Sequence, residues 1–516
     1  MSDRKPYFIT TAIDYVNGKP HLGHAYEKIS SDVLARFKRL DGFDVFFLTG
    51  TDEHGQKVAK SAMAAGKATK QFTDENSAYF KEMDGYLNVA YDQFIRTTEE
   101  RHYKASQEIW KRIAAAGDIY LAGYAGWYSV RDEAYFAEDE LTNGPNGKKF
   151  APSGAEVEWV EEPSYFFKLS AYTDKLLDYY EKNPDFIQPS FRRNEVVSFV
   201  KQGLNDLSVS RTTFDWGVPV PDAPGHVMYV WLDALTNYLT ALGFPDDEAR
   251  MAKYWPADIH IIGKDIVRFH AVYWPAFLMS AGIAVPKKVF GHGFINVEGA
   301  KMSKSLGNVL SPQDMANEFG VDQLRYFLMR EVPYGQDGSF SREQIINRIN
   351  SELANDYGNL AQRVLSFIAK NVEAKVPTPG ELTADDEALR KTLQELPGAV
   401  RAAFDNLAYS QALEAIWAVI RAANVYVDKQ APWALRKTDP ARMETVLYML
   451  CEAIRRVAIL TQPFMPAASE KMLDQLGVPA DARSFAALEI GYRLTPGTPL
   501  PAPQGVFPRF VEKTAE

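Results

Sequence analysis

The opening stretch of this chain constrains its fold more than any other. An apolar run from Pro6 to Ala12 (PYFITTA) reads as a short buried strand. After a glycine-containing turn, Ala25, Ile29, Val33, Leu34 and Phe37 recur at helical spacing up to Leu40-Asp41-Gly42-Phe43, and a second apolar run, Val45 to Thr49, follows at once. Strand, turn, helix and strand within about 45 residues is the spacing of a βαβ unit, which demands a parallel sheet covered by helices. His21-Leu22-Gly23-His24 falls where the first strand hands over to the helix, so backbone N–H groups and the positive helix end face whatever occupies the strand's C-terminal edge. Phosphate is the natural occupant. Two imidazoles can donate to its oxygens, and Gly23 lets a flat base or ribose lie against the backbone. The alternative is that the two histidines merely cap the helix.

A chain of 516 residues exceeds one ordinary hydrophobic core, and the length favours roughly three or four domains. The first α/β half runs over 1–116. From 117 to 224 the texture changes to short aromatic, alternating segments such as Gly126-Trp127-Tyr128-Ser129-Val130 and Glu156-Val157-Glu158-Trp159-Val160, which read as a β-rich insertion. The α/β texture resumes over 225–340, with a helix near Val230 to Leu242, strands at Asp258 to Gly263 and Lys288 to Gly291, and a helix after Asp265. One split sheet is the economical reading. Over 341–494 the pattern is helical, with Ile345, Ile349, Leu353, Leu360, Val364 and Ile368 on roughly one face and similar stretches at 384–404, 409–428 and 442–461. The Pro-rich tail, 495–516, is expected to be extended. The fold class is thus a Rossmann-type parallel sheet split by a β-rich insertion and followed by an all-α bundle.

Several classes are disfavoured by composition. The longest nearly apolar run, Ala271 to Val285, is too short to span a bilayer and is interrupted by Pro275, so no membrane span is expected. The N-terminus lacks the apolar core of a signal peptide, and the cytoplasm is the expected location. A single cysteine, Cys451, excludes an intrachain disulfide and any multi-cysteine zinc site. The net charge of −10 argues against indiscriminate binding to nucleic-acid backbones while leaving room for a local basic surface.

A second motif, Lys301-Met302-Ser303-Lys304-Ser305, lies between Glu298-Gly299 and Leu306-Gly307-Asn308, in a glycine-punctuated stretch suited to a closing loop. Two lysines three apart there could neutralise charge on a departing pyrophosphate. An ordinary solvated basic loop is the alternative. Together, in this order and context, the two motifs resemble the signature of the class I aminoacyl-tRNA synthetases. The surrounding residues are similar to the methionyl-tRNA synthetase family within that class, from about Tyr7 to the tail.

This resemblance implies activation of L-methionine by ATP, as its Mg2+ complex, to methionyl-adenylate, followed by transfer to the terminal adenosine of tRNA(Met). Neither step needs a covalent enzyme intermediate, so positioning and charge stabilisation should carry catalysis. His21, His24, Lys301 and Lys304 match the catalytic positions; Asn17, Gly23, His24, Gly263, Asp265 and Lys304 match the ATP contacts. Ala12, Ile13, Tyr15, Trp231, Ala234, Leu235, Tyr238, Ile266 and His270 match the amino-acid pocket, with Asp52 placed to pair with the substrate ammonium or, alternatively, to cap a helix. Asp265 likewise has a helix-capping alternative. Aromatic walls suit a thioether, and Tyr15 and His270 are expected to offer polar hydrogens near the sulfur. Asp14 stands where relatives often have proline, and Leu235 where some have proline. Arg211 resembles an arginine that pairs with the residue corresponding to Glu27, bracing the insertion.

Where many relatives carry a zinc knuckle, Ser129 and Asp132 occupy the first ligand pair and Ala151 to Ser153 offer neither Cys nor His, so no structural zinc is expected. In the helical half, Asn359, Arg363, Pro432 and Trp433 match residues that read the CAU anticodon, although a lone tryptophan like Trp433 is more often core than RNA platform. A monomer is expected, because the chain ends without the extra C-terminal domain through which longer relatives dimerise. Two rivals differ in sequence. Leucine, isoleucine and valine enzymes need a larger editing insertion and the cysteine enzyme zinc-binding thiols, while a catalytically silent tRNA-binding protein would not need His21, His24, Lys301 and Lys304.

Overall fold

The computed structural model describes residues 4–132, 134–301, 309–489 and 493–512. At its centre lies an all-parallel sheet in the order Ile187–Gln188, Val289–His292, Ile259–Gly263, Pro6–Thr11, Asp44–Asp52 and Asp14–Tyr15, with Gln93–Arg96 also paired to Asp44–Asp52. The expected βαβ unit is present, its strands in register from Pro6↔Asp44 to Thr10↔Leu48 and joined by the helix Leu22–Leu40.

Strand alternation sorts the core into two layers. Ile9, Val45, Phe47 and Ile261 face the layer shared with the helix Leu22–Leu40 and the C-terminal helices. Phe8, Phe46, Leu48 and Ile262 face the layer shared with the helices Glu100–Ala115, Val230–Thr240 and Trp274–Ser280. Both faces are therefore buried, which is why these strands read as continuous apolar runs.

The insertion is built on one long antiparallel pair, Ile119–Ser129 against Glu156–Phe167, in register from Ile119↔Phe167 to Tyr128↔Glu158. It is not β-rich throughout 117–224. The stretch Thr173–Lys182 and Ser190–Lys201 is helical, and between them Ile187–Gln188 adds a strand to the edge of the parallel sheet, Ile187 opposite Val289. Leu176 and Tyr180, four apart and buried, supply the helical face of the first of these segments.

At the corner where the zinc-knuckle positions fall, Ser129 Oγ donates to Asp132 at 2.9 Å, Ser153 Oγ also donates to Asp132, and Arg131 donates to the Ser153 carbonyl at 2.5 Å. One carboxylate thus ties both loops together. Asp132→Ala should remove this tie at a cost of about 1–3 kcal/mol. Faster limited proteolysis between residues 129 and 153 would report it; an unchanged cleavage rate would show the corner is held otherwise.

Beyond Ser341 the described chain is helical from Arg342 to Asn371, where the turns of Ile349–Gly358 are wider than in the flanking segments. Ala384–Asp405, Tyr409–Gln430, Pro432–Thr438, Pro440–Thr461 and Pro466–Gln475 follow. The six apolar residues expected on one face, from Ile345 to Ile368, are all buried in the shared core. The tail runs extended over the bundle, bridging Pro499 to Lys375 and burying Phe507 against Tyr357. Among the described residues, no helix is long and apolar enough to cross a membrane.

Candidate active site

The two histidines of the first motif do cap the helix Leu22–Leu40, and the geometry of that cap decides their protons. His21 Nδ1 accepts from Gly23 N at 3.1 Å, and His24 Nδ1 accepts from His21 N at 3.1 Å. A backbone N–H can only donate, so each neutral ring must carry its proton on Nε2. The ring centroids lie 3.9 Å apart with the planes tilted by 30°, and His24 meets Phe80 edge-on at 5.2 Å. Burial, helped by the Lys28 ammonium one turn along, pushes the His24 pKa down to about 3. His24 therefore stays neutral with an Nε2–H donor at a helix N-terminus. Capping and phosphate binding are compatible here.

Asp52 arrives at the end of the strand Asp44–Asp52 and is buried. Gly50 makes that strand end possible, because a Cβ there would lie 2.1 Å from the Ile95 carbonyl of the neighbouring strand. A cleft of about 1960 Å³ opens beside it. Ala12, Ile13, Tyr15, Asp52, Trp231, Ala234, Leu235, Tyr238, Ile266 and His270 all line it, together with His24, Gly263 and Asp265. Trp231 stacks flat on Phe269 at 3.9 Å, and Tyr238 stacks on His260 at 4.1 Å. Asn17, His21 and Gly23 are half-buried and are not among the described lining residues. Asp265 is exposed, and no side chain caps the short helical turn it occupies, Lys264–Ile266.

Two sequence expectations are corrected by hydrogen-bond accounting. His270 Nδ1 donates to the Ile266 carbonyl at 3.0 Å, and Nε2, 2.7 Å from Tyr238 Oη, accepts its proton. Burial holds the His270 pKa down to about 4, so the ring is neutral and keeps no hydrogen for a substrate sulfur. Tyr15 Oη likewise donates to the His54 carbonyl at 2.9 Å. Arg211 does not pair with Glu27. It donates to Ser208 and Ser210 and sits between the rings of Tyr135 and Tyr229, all in or beside the insertion. Glu27 instead accepts from Ala12 N at 3.0 Å and pairs with His292 Nε2 at 2.8 Å.

Asp14 is held by a buried ion pair. It pairs with the fully buried Lys28 at 2.7 Å, and the same ammonium donates to Thr11 Oγ1 and the Ala12 carbonyl. The signal in sequence was a lysine on the inward face of an apolar helix, which is stable only when paired. Lys301 closes the two-residue strand Ala300–Lys301; its side chain and residues 302–308, Lys304 included, lie outside the described residues.

At the far end of the chain, Asn359 and Arg363 lie four apart on the helix Asn359–Asn371. Ala431, at φ 44° and ψ 62°, turns the chain so that Pro432 is buried while Trp433 is 48% exposed. The Arg363 guanidinium stands 5.8 Å from the Trp433 ring and bonds Asp428 at 2.7 Å. An indole so placed is a surface platform rather than core.

The family described as tRNA synthetases class I (M) matches residues 7–365, and the anticodon binding domain of methionyl tRNA ligase matches residues 376–516. The chain belongs to this family. It is 61% identical to a methionine–tRNA ligase of Brucella suis over 99% of both chains, and 58% identical to that of Mycobacterium tuberculosis over 98%. It is similar to the Mycobacterium tuberculosis methionyl-tRNA synthetase in complex with methionyl-adenylate, with a TM-score of 0.96 over 98% of this chain and 100% of that one. For the apo form of that enzyme the TM-score is 0.90 at 54% identity, over 99% of this chain and 100% of that one. The second family match begins at residue 376, beyond the helix Asn359–Asn371 that carries Asn359 and Arg363.

Proposed function

We propose that this chain activates L-methionine with ATP and transfers the methionyl group to the 3′-terminal adenosine of tRNA(Met). The observation that carries this reading is one cleft in which an aromatic pocket with a buried carboxylate, Asp52, adjoins a helix N-terminus bearing the Nε2–H donor of His24. In the first step a methionine carboxylate oxygen attacks the α-phosphorus, the bond to the β-phosphate bridge breaks, and pyrophosphate leaves. In the second a hydroxyl of the terminal adenosine attacks the acyl carbon, AMP departs, and the hydroxyl proton goes to solvent or phosphate. His21 and His24 would hold phosphate oxygens as charge shifts toward pyrophosphate, with Lys301 and Lys304 closing over them. Asn17, Gly23, Gly263 and Asp265 are assigned to the nucleotide, and Asp52 to the methionine ammonium.

Among the described residues, no group of three or more His, Cys, Asp or Glu side chains could hold a metal ion. We assign Mg2+ to the ATP phosphates as part of the substrate complex. The assignment as a cytoplasmic monomer rests on the sequence and is tested by sedimentation and cell fractionation. The reaction itself is tested by ATP–pyrophosphate exchange with each of the twenty amino acids. Exchange that depends on methionine supports the reading; exchange driven by another amino acid, or none, sinks it.

The CAU anticodon is assigned to Asn359, Arg363, Pro432 and Trp433. Trp433→Ala should lower tRNA charging by about 1–3 kcal/mol of lost base stacking, roughly 5- to 150-fold in kcat/KM for tRNA. Methionine-dependent exchange should stay within twofold of wild type. Equal losses in both assays would remove Trp433 from the anticodon surface.

A further inference from the structure

Behind the cleft lies a buried cluster that the proposed reaction does not use. Asp233 sits on the helix Val230–Thr240, and its carboxylate is fully buried. One oxygen bonds His54 Nδ1 at 2.7 Å and the other bonds His102 Nε2 at 2.7 Å. Both histidines are themselves buried, His54 following Asp52 on the strand end and His102 on the helix Glu100–Ala115. Burial works against the Asp233 carboxylate, but the two imidazoles outweigh it and hold its pKa down to about 2.

Each histidine ring of this cluster has a partner at both nitrogens. Tyr103 Oη lies 2.9 Å from His54 Nε2. Thr240 Oγ1 lies 2.9 Å from His102 Nδ1 and 3.1 Å from the Thr236 carbonyl.

The cluster also joins two walls of the amino-acid pocket. The His54 carbonyl accepts from Tyr15 Oη, and the neighbouring Glu53 carbonyl accepts from the Trp216 indole at 2.6 Å. Trp231, Ala234, Leu235 and Tyr238 project into the cleft from the helix whose other face carries Asp233. Helix and strand end are therefore pinned to one another by a carboxylate that never reaches the cleft. On the reading of that cleft as a methionine pocket, we propose that Asp233, held between His54 and His102, is a positioning residue that fixes the distance between Asp52 and the Trp231–Tyr238 wall and thereby sets methionine affinity. A charge-assisted bond on each oxygen makes such a pin rigid, whereas apolar packing alone would let the helix slide.

Two variants test this in the full chain, Asp233→Asn and His102→Gln, the second keeping an N–H toward Asp233 while removing the ring and its contact with Thr240. Exchange kinetics should show the methionine KM raised about tenfold or more in Asp233→Asn and less in His102→Gln, with the ATP KM and saturating rate within about threefold. Circular dichroism confirms that each variant is folded, and if Asp233→Asn is not, His102→Gln carries the test. Wild-type exchange with a methionine KM within twofold in the folded variants would overturn this role alone. Parallel rises in both KM values would overturn it too, as general weakening. Absence of methionine-dependent exchange in the wild-type chain would overturn the proposed function and this role with it.

Discussion

Asp52→Asn is expected to cut kcat/KM for methionine in ATP–pyrophosphate exchange by roughly 30- to 5000-fold, the kinetic equivalent of about 2–5 kcal/mol for breaking a desolvated charge pair. The substitution keeps the shape of the side chain and removes only its charge. Asp52 is buried at the end of a strand, in a cleft walled by Trp231, Tyr238 and Leu235, so water screens little of its attraction for an ammonium. The ATP KM should stay within about threefold, since the nucleotide is assigned to the other end of the cleft. A methionine KM that does not move would assign the ammonium elsewhere. Loss in ATP KM instead would place Asp52 in the nucleotide half.

How much of this was legible in sequence depends on the range over which each residue finds its partner. The βαβ unit at Pro6 to Asp52 was legible because its period and turn are local, and so was the buried face from Ile345 to Ile368. The resemblance to a family supplied the ten pocket positions, which the fold then brings to one cleft from segments more than 200 residues apart. What stayed hidden were pairings between distant polar residues. Nothing in Thr51-Asp52-Glu53-His54 announces Asp233, and nothing near His21 announces that Glu27 holds His292. The expected Arg211–Glu27 pair failed on both sides: Arg211 bonds its own sequence neighbours Ser208 and Ser210, and Glu27 is taken by Ala12 N and His292, which the fold brings near. The stretch 173–201 was misread because its tyrosines and phenylalanines resemble the β-rich texture before it, whereas its helical period is carried by only a few buried positions such as Leu176 and Tyr180.

The second large effect concerns stability. Arg325, on the helix Val321–Glu331, is fully buried and joins the α/β half to the helical half. Its guanidinium donates to the Phe464 and Pro463 carbonyls at 3.0 and 2.9 Å, to the Leu87 and Asn88 carbonyls at 3.1 and 3.3 Å, and to Asp32 at 2.6 Å. Asp32 lies on the same helix as His21 and His24 and keeps Arg36 and Ala90 N as further partners when Arg325 is lost. The larger cost of Arg325→Ala therefore comes from buried carbonyls stripped of their donors and from the cavity left behind, together about 3–5 kcal/mol. Arg325→Lys restores the charge but offers three donors to five acceptors, so it should fall between wild type and alanine. In a chain of several cores unfolding need not be two-state, and the first thermal transition is the one to follow. For cores of this size it should drop by on the order of 10 °C in Arg325→Ala and by less in Arg325→Lys. Adding Asp32→Asn to Arg325→Ala should cost less than the sum of the single changes, because the two residues share one bond. A first transition unmoved by Arg325→Ala would show that the two halves are held together by their apolar interface alone.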